Sequence, residues 1–191
     1  EWGKKYNYAE ISTIKQYQER VPIQSYEDIV PWVNRQRAGE SNILWPSDIK
    51  WFAKSSGTTG EKSKFIPVSS EALEECHFRG GKDCLALYTH SFPDSLVLRG
   101  KGLTLGGSQQ INNFSNQSYY GDLSAIMIDN LPFWANFIRT PSAEIALIPD
   151  FEEKVEKIRE IAIRENVTNI AGVPSLNLVL LNHILQATGK N

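Results

Sequence analysis

The stretch Ser55-Ser56-Gly57-Thr58-Thr59-Gly60-Glu61-Lys62-Ser63-Lys64 constrains this chain more than any other. It places two glycines, a run of hydroxyls and two lysines between apolar segments, Trp51-Phe52-Ala53 on one side and Phe65-Ile66-Pro67-Val68 on the other. Glycine admits positive φ, so successive N–H groups can converge on one point. Serine and threonine hydroxyls rotate to meet phosphate oxygens, and lysine supplies compensating charge. This is the chemistry of a polyphosphate cradle. The common nucleoside-triphosphatase loop, G-x-x-x-x-G-K-[ST], runs directly into a helix. Here Gly57 and Gly60 are three apart, and Phe65 to Val68 reads as extended, with Pro67 inside it. The pattern is therefore strand–loop–strand, which argues against a kinase or GTPase. On residue types alone, a solvated Gly/Ser/Thr hairpin stands beside the cradle as the alternative.

The rest of the chain alternates strand and helix signals. Ser12 can cap a short helix through Gln18, and Ser25 with Asp28 forms a capping signal for a helix over 26–38. Pro31 should kink or restart that helix. Ile49 to Ser55 and Phe65 to Val68 read as strands. Ser69 or Ser70 caps a helix with an acidic first turn. Its stripe is Leu73, Cys76, Cys84, Leu87 and Tyr88, and Gly80 with Gly81 marks a close contact or a break. Gly100 to Leu105 and Ser124 to Asp129 read as strands, and the polar patch Gln109 to Ser118 as a surface loop. Asp150 with Glu153 caps a helix over 151–165 whose buried stripe is Phe151, Val155, Ile158, Ile161 and Ala162. Val167 to Val173 is a strand, and Pro174 and Ser175 turn it into a last helix, 176–186. This order predicts an α/β fold, a mixed or parallel sheet flanked by helices. The turn Gly172-Val173-Pro174-Ser175 falls at a strand's carboxyl end, where ligands favour open α/β sheets.

Composition narrows the classes. The 191 residues carry 20 Lys and Arg against 22 Asp and Glu, a net charge of −2, so nothing global points to nucleic acid or to a membrane surface. No apolar run reaches the ~18 residues of a spanning helix. Cys76 and Cys84 lack the spacing of a metal or redox pair and read as small buried apolar residues, reduced in a cytoplasmic setting. His77, His90 and His183 show no ligand spacing, so no metal site is expected among them. Trp134 and Phe137 fit core packing better than a pocket.

The segment Ser-Ser-Gly-Thr-Thr-Gly-x-Lys-x-Lys resembles the phosphate-binding loop of the adenylate-forming superfamily. The surroundings resemble one branch of it. These are Arg20-Val21-Pro22-Ile23 with Tyr26-Glu27-Asp28-Ile29, Trp51-Phe52-Ala53-Lys54, Lys64-Phe65-Ile66-Pro67-Val68, and Ala171-Gly172-Val173-Pro174-Ser175. The branch is the acyl acid amido synthetases, the auxin-responsive Gretchen Hagen type, and the resemblance runs from about Tyr17 to Leu185.

The resemblance implies a two-step reaction. A carboxylic acid is adenylated by ATP, with Mg²⁺ expected, and the acyl group then passes to an amino acid. Ser55, Ser56, Gly57, Thr58, Thr59 and Gly60 would cradle the phosphates, with Lys62 or Lys64 as the loop lysine and Lys64 favoured. Gly172, Val173, Pro174 and Ser175 would border the acyl cavity. No catalytic residue is assigned. Residues 1–191 are expected to be the front part of the large N-terminal ATP- and acyl-binding domain. The later adenylation motif, the ribose-binding aspartate and the C-terminal lid domain lie outside them. Such a fragment should be inactive alone and could self-associate through uncovered apolar surface. Two other readings stand: an acyl-CoA ligase of the same superfamily, and a binding module using Gln109 to Ser118 with Tyr119 and Tyr120.

Overall fold

The computed structural model describes residues 1–55, 63–106, 112–115 and 118–189, with the backbone alone for 112–115. In chain order the described elements are helices α1 (Trp2–Lys5), α2 (Ile14–Arg20) and α3 (Tyr26–Arg37), then strands β1 (Trp51–Lys54) and β2 (Phe65–Val68). A wide π-type helical segment, Ala72–Phe78, continues into α4 (Arg79–Ser91). Strands β3 (Lys101–Leu105), β4 (Asn112–Ser115) and β5 (Ser118–Gly121) follow, then α5 (Leu123–Asp129), α6 (Ala135–Ile138), β6 (Arg139–Thr140) and α7 (Ala143–Ala146). The chain closes with α8 (Phe151–Ala162), β7 (Val167–Gly172) and α9 (Pro174–Thr188). Among the described residues, no helix is long and apolar enough to cross a membrane.

These elements form two compact units, Glu1–Ala72 with Asn112–Gly121 and Leu73–Ile111 with Asp122–Asn191. The first holds a mixed four-stranded sheet, ordered β2-β1-β5-β4. β1 runs antiparallel to β2, pairing Trp51 with Val68 and Lys54 with Phe65, and parallel to β5. Its core is Trp2, Val33, Ile43, Phe52, Ala53 and Val68. Helix α3 starts on the expected box: Ser25 Oγ accepts from the Asp28 N–H, while the Asp28 carboxylate accepts from the Ser25 N–H at 2.8 Å. It continues as one helix through Pro31, without the restart the proline suggested. Helix α2 is capped by Thr13 rather than Ser12, because Gln16 at the third helical position closes the box on Thr13. The expected surface loop at Gln109 to Ser118 is in part strand, since β4 pairs antiparallel with β5.

The second unit holds a three-stranded, all-parallel sheet, ordered β6-β3-β7. Side chains alternate along β3. Leu103 and Leu105 are buried, whereas Gly102 and Thr104 belong to the opposite face. The leucines join Val155 and Ile158 of α8 and Leu180 of α9 in one cluster, with Phe151 and Ala162 packed around it. Full burial of such a side chain stabilises by about 1.5–3 kcal/mol. Asp150 Oδ1 accepts from the Glu153 N–H at 2.8 Å, while the Glu153 carboxylate turns to Lys157 at 2.7 Å.

Two expectations fail here. Ser124 to Asp129 is the helix α5, not a strand. Its run Ala-Ile-Met-Ile has no period to separate the two, and the Asp122 carbonyl starts a helical turn by accepting from the Ile126 N–H. Cys76 and Cys84 are exposed. The wide turns over Ala72–Phe78 bury Leu73 and Phe78, five residues apart, so an α-helical stripe read from Leu73 lands on the wrong side. Neither Gly80 nor Gly81 makes a close contact; a side-chain carbon at either would meet open space. The change of helical pitch lies just before them, at Phe78/Arg79.

Candidate functional site

The expected cradle sits on a β-hairpin with a closed neck. One step past the Lys54–Phe65 pair, the Ser55 N–H donates to the Lys64 carbonyl at 2.9 Å. The Lys64 N–H in turn donates to Ser55 Oγ at 3.2 Å. Both ends of the intervening segment are thereby fixed to each other. Ser56, Gly57, Thr58, Thr59, Gly60 and Lys62 lie outside the described residues. The Lys64 ammonium stands 5.6 Å from the centre of the Tyr26 ring, within cation–π range.

Tyr26 carries a second tie that residue types did not reveal. Its hydroxyl accepts from the Phe65 N–H at 2.9 Å and donates to the Phe65 carbonyl at 3.2 Å. A helix-borne phenol thus satisfies both backbone groups of the first residue of β2. The Arg37 guanidinium lies 4.2 Å from the Phe65 ring centre, and Phe65 meets Tyr120 edge-on at 5.4 Å. Tyr119 packs on Trp51 at 5.2 Å. Both tyrosines thus make ring contacts within this unit and are half-buried.

The second unit carries an open cavity of about 650 Å³, within the usual range for small-molecule sites. Its wall comes from three stretches, residues 78–89, 98–104 and 124–139. Leu85, Leu98, Met127 and Leu131 make it apolar, and Trp134 lines it, so for Trp134 the pocket, the less favoured of its two readings, is what the structure shows. Phe137 is exposed and off the wall. The charged residues of the wall are Lys82 and Arg139, both cationic. The Lys82 ammonium lies 4.8 Å from the Trp134 ring centre. Arg139 occupies β6, paired with Gly102 of β3. Burial pushes its guanidinium below the ordinary arginine range. No sequence signal singled out Arg139, because the cavity joins segments up to 60 residues apart; an arginine between apolar Phe137-Ile138 and Pro141 is the one local hint.

Gly172, Val173, Pro174 and Ser175 are exposed and lie outside this cavity's wall. Gly172 ends β7, Val173 caps α9, and Pro174 occupies its first position, where a missing N–H does no harm. Gly172 is required there by a close approach. A side-chain carbon would stand 2.7 Å from Asn177 Oδ1 and 2.8 Å from the Leu105 carbonyl oxygen. His77, His90 and His183 do not converge. Among the described residues, no group of three or more His, Cys, Asp or Glu is placed to hold a metal.

Comparison with known proteins identifies the architecture. A solved structure described as AtGH3.15 acyl acid amido synthetase in complex with 2,4-DB superposes with a TM-score of 0.71 at 21% identity. That match covers 97% of this chain and 32% of that one. A second GH3.15 acyl acid amido synthetase structure gives a TM-score of 0.72 at 19% identity, covering 95% and 32%. The rice (Oryza sativa subsp. japonica) probable indole-3-acetic acid-amido synthetase GH3.7 is 36% identical over 61 residues, 30% of this chain and 10% of that protein. The Arabidopsis thaliana 4-substituted benzoates-glutamate ligase GH3.12 is 38% identical over 63 residues, 32% and 11% respectively. The chain thus spans about a third of the solved relatives' length. Residues 1–190 match the family model described as GH3 family N-terminal domain, and with nearly every residue inside that match, the chain belongs to the GH3 family.

Proposed function

We propose that this chain is the front part of the N-terminal domain of an ATP-dependent acyl acid amido synthetase. Each unit contributes one substrate site. In the first, Ser55 to Gly60 with Lys62 or Lys64 hold the β- and γ-phosphates of ATP. In the second, the cavity beside β3 takes the apolar body of the acid. An acid carboxylate oxygen attacks the α-phosphorus, and the bond to pyrophosphate breaks, giving an acyl adenylate. An amino acid amine then attacks the acyl carbon, AMP leaves with the bonding electrons, and the amine proton is lost to solvent. The leaving pyrophosphate gains charge, which preorganised N–H and hydroxyl donors stabilise without reorganising. When bound, Mg²⁺ would add charge neutralisation at the phosphates.

The observation that carries this reading is the tied hairpin neck, with Ser55 and Lys64 bonded reciprocally at the base of a Gly/Ser/Thr segment in a GH3-family chain. The unpaired thiols of Cys76 and Cys84 favour a cytoplasmic setting. Exposed Leu178, Leu181 and Leu185 on α9 favour association with a further apolar surface, including a second copy of this chain.

The test is acid-dependent exchange of pyrophosphate into ATP by the complete polypeptide that carries this sequence. Exchange should collapse in Gly57→Val, because a β-branched side chain bars positive φ and close approach to a phosphate, and misaiming one well-placed donor raises the barrier by about 2.7–4 kcal/mol. Wild-type exchange in that variant refutes the loop assignment. The 191-residue chain alone should turn over no ATP.

A further inference from the structure

We propose that Tyr26 is a positioning residue for the ATP phosphates: its hydroxyl fixes the strand end next to Lys64, and its ring flanks the Lys64 ammonium. The proposal rests on the reading of the hairpin with its loop lysine as the phosphate site, and names a group outside the hairpin that sets its geometry. Among the described residues β2 is an edge strand of the four-stranded sheet, paired with β1 on one side. Along an antiparallel pair, residues alternate between bonding the partner strand and turning their backbone groups away from it. Ser55 and Lys64 are a bonded pair, through the Ser55 N–H and the Lys64 carbonyl. Lys54 and Phe65, the next pair, therefore do not bond each other, and the Phe65 N–H and carbonyl face the open edge. Pro67 turns the same way and has no N–H. The Phe65 N–H is thus the donor that this strand directs outward.

Tyr26 meets both outward groups of Phe65 with one hydroxyl, accepting from the N–H at 2.9 Å and donating to the carbonyl at 3.2 Å. It stands where a further strand would. Tyr26 is the first residue of α3, whose start is held by the reciprocal Ser25–Asp28 bonds, so the tie is anchored on an element separate from the hairpin. Its ring centre lies 5.6 Å from the Lys64 ammonium. One side chain therefore restrains residue 65 through its backbone and residue 64 through its charge. A cation held this way on both counts is in place before a phosphate arrives, which is what a defined contact geometry requires.

The experiment titrates the complete polypeptide with ATP and with AMP, each with Mg²⁺, by calorimetry, and records the melting temperature of every variant. The wild type should bind ATP more tightly than AMP. Tyr26→Phe keeps the ring and loses both bonds. It should weaken ATP by roughly 5- to 30-fold, a range bounded by the strength of the two bonds that transmit the effect, and leave AMP unchanged, since AMP lacks the β- and γ-phosphates. Tyr26→Leu also removes the ring beside Lys64 and should weaken ATP further. Ile43→Val thins the buried core of the same unit outside the hairpin and α3. It should lower the melting temperature and leave both affinities as they are. A tyrosine that merely protects a strand edge predicts a lower melting temperature in Tyr26→Phe with no separate loss for ATP. Unchanged ATP affinity in Tyr26→Phe, equal losses for ATP and AMP, or the same ATP loss in Ile43→Val overturns the positioning role. Gly57→Val separates the two levels. If it loses ATP affinity while Tyr26→Phe keeps it, the phosphate reading stands and the positioning role fails. If Gly57→Val binds ATP as the wild type does, the phosphate reading itself fails and takes the positioning role with it.

Discussion

Replacing Gly172 by alanine tests how tightly β3, β7 and α9 are locked at the carboxyl edge of the parallel sheet. The added carbon meets two oxygens. Asn177 Oδ1, at 2.7 Å, belongs to a side chain and can swing aside. The Leu105 carbonyl, at 2.8 Å, belongs to the backbone of β3, which is paired with Gly172 itself, so relief there requires the ladder to shift. Overpacking of this kind destabilises by about 1–3 kcal/mol. For a chain of this length each kcal/mol moves the melting temperature by about 2–4 °C, so the expected fall is roughly 2–12 °C. Circular dichroism melting gives the readout. Gly172→Ala/Asn177→Ala should recover only the side-chain part of the loss. Gly80→Ala is the matched control, since its new carbon meets open space within a helix. It should stabilise by about 0.5–1 kcal/mol and raise the melting temperature. A Gly172→Ala variant melting at or above the wild type would refute the close-approach argument.

Other outcomes follow from the same contacts. Ile158→Ala, which empties a fully buried position beside Leu103 and Leu105, should lose about 2–5 kcal/mol in urea unfolding. The Glu165 carboxylate accepts from the Lys101 ammonium at 2.6 Å, and with a further bond from Thr140 this holds its pKa below the usual carboxylate range. Because the folded pKa is depressed, the stability it brings is complete at neutral pH and is lost as pH falls through that lowered value. Lys101→Met should therefore be less stable than wild type by about 0.2–1 kcal/mol at pH 7, and the gap should close in acid. Tyr26→Phe removes both bonds to the Phe65 backbone. It should destabilise by about 1–3 kcal/mol and raise the KM for ATP in pyrophosphate exchange, because the hairpin neck loses its tie to α3.

The parts legible in the sequence are those set by local chemistry. Phe65 to Val68 reads correctly because Pro67 and a β-branched residue end a glycine-rich segment. The starts of α3 and α8 read correctly because Ser25 and Asp150 satisfy N–H groups three residues on. What failed needed information from elsewhere in the chain. The run Ala125 to Ile128 is apolar throughout, so only its tertiary neighbours decide between helix and strand. Cys76 was misplaced because a wide helical turn breaks the period on which stripe-reading depends. The cavity was invisible because residues 78–89, 98–104 and 124–139 converge only after folding. Arg139 accordingly carried no signal beyond being a charge among apolar neighbours. The turn Gly172-Val173-Pro174-Ser175 reads as a strand's carboxyl end, and β7 does end at Gly172.

The alternation along β3 has a consequence for how such a protein can diversify. Leu103 and Leu105 face the core shared with α8 and α9, while Gly102 and Thr104 face the cavity. One five-residue strand therefore separates folding from ligand choice by a single step along the chain. A change at Thr104 reshapes the pocket face and leaves the hydrophobic cluster intact, whereas Gly102 is held to glycine by the close approach of Asn169. A library at position 104 should accordingly yield a high proportion of folded clones, whereas any side chain at position 102 must first displace Asn169, whose Oδ1 would stand 2.7 Å from the added carbon. Changes at positions 103 and 105 should yield mostly insoluble clones.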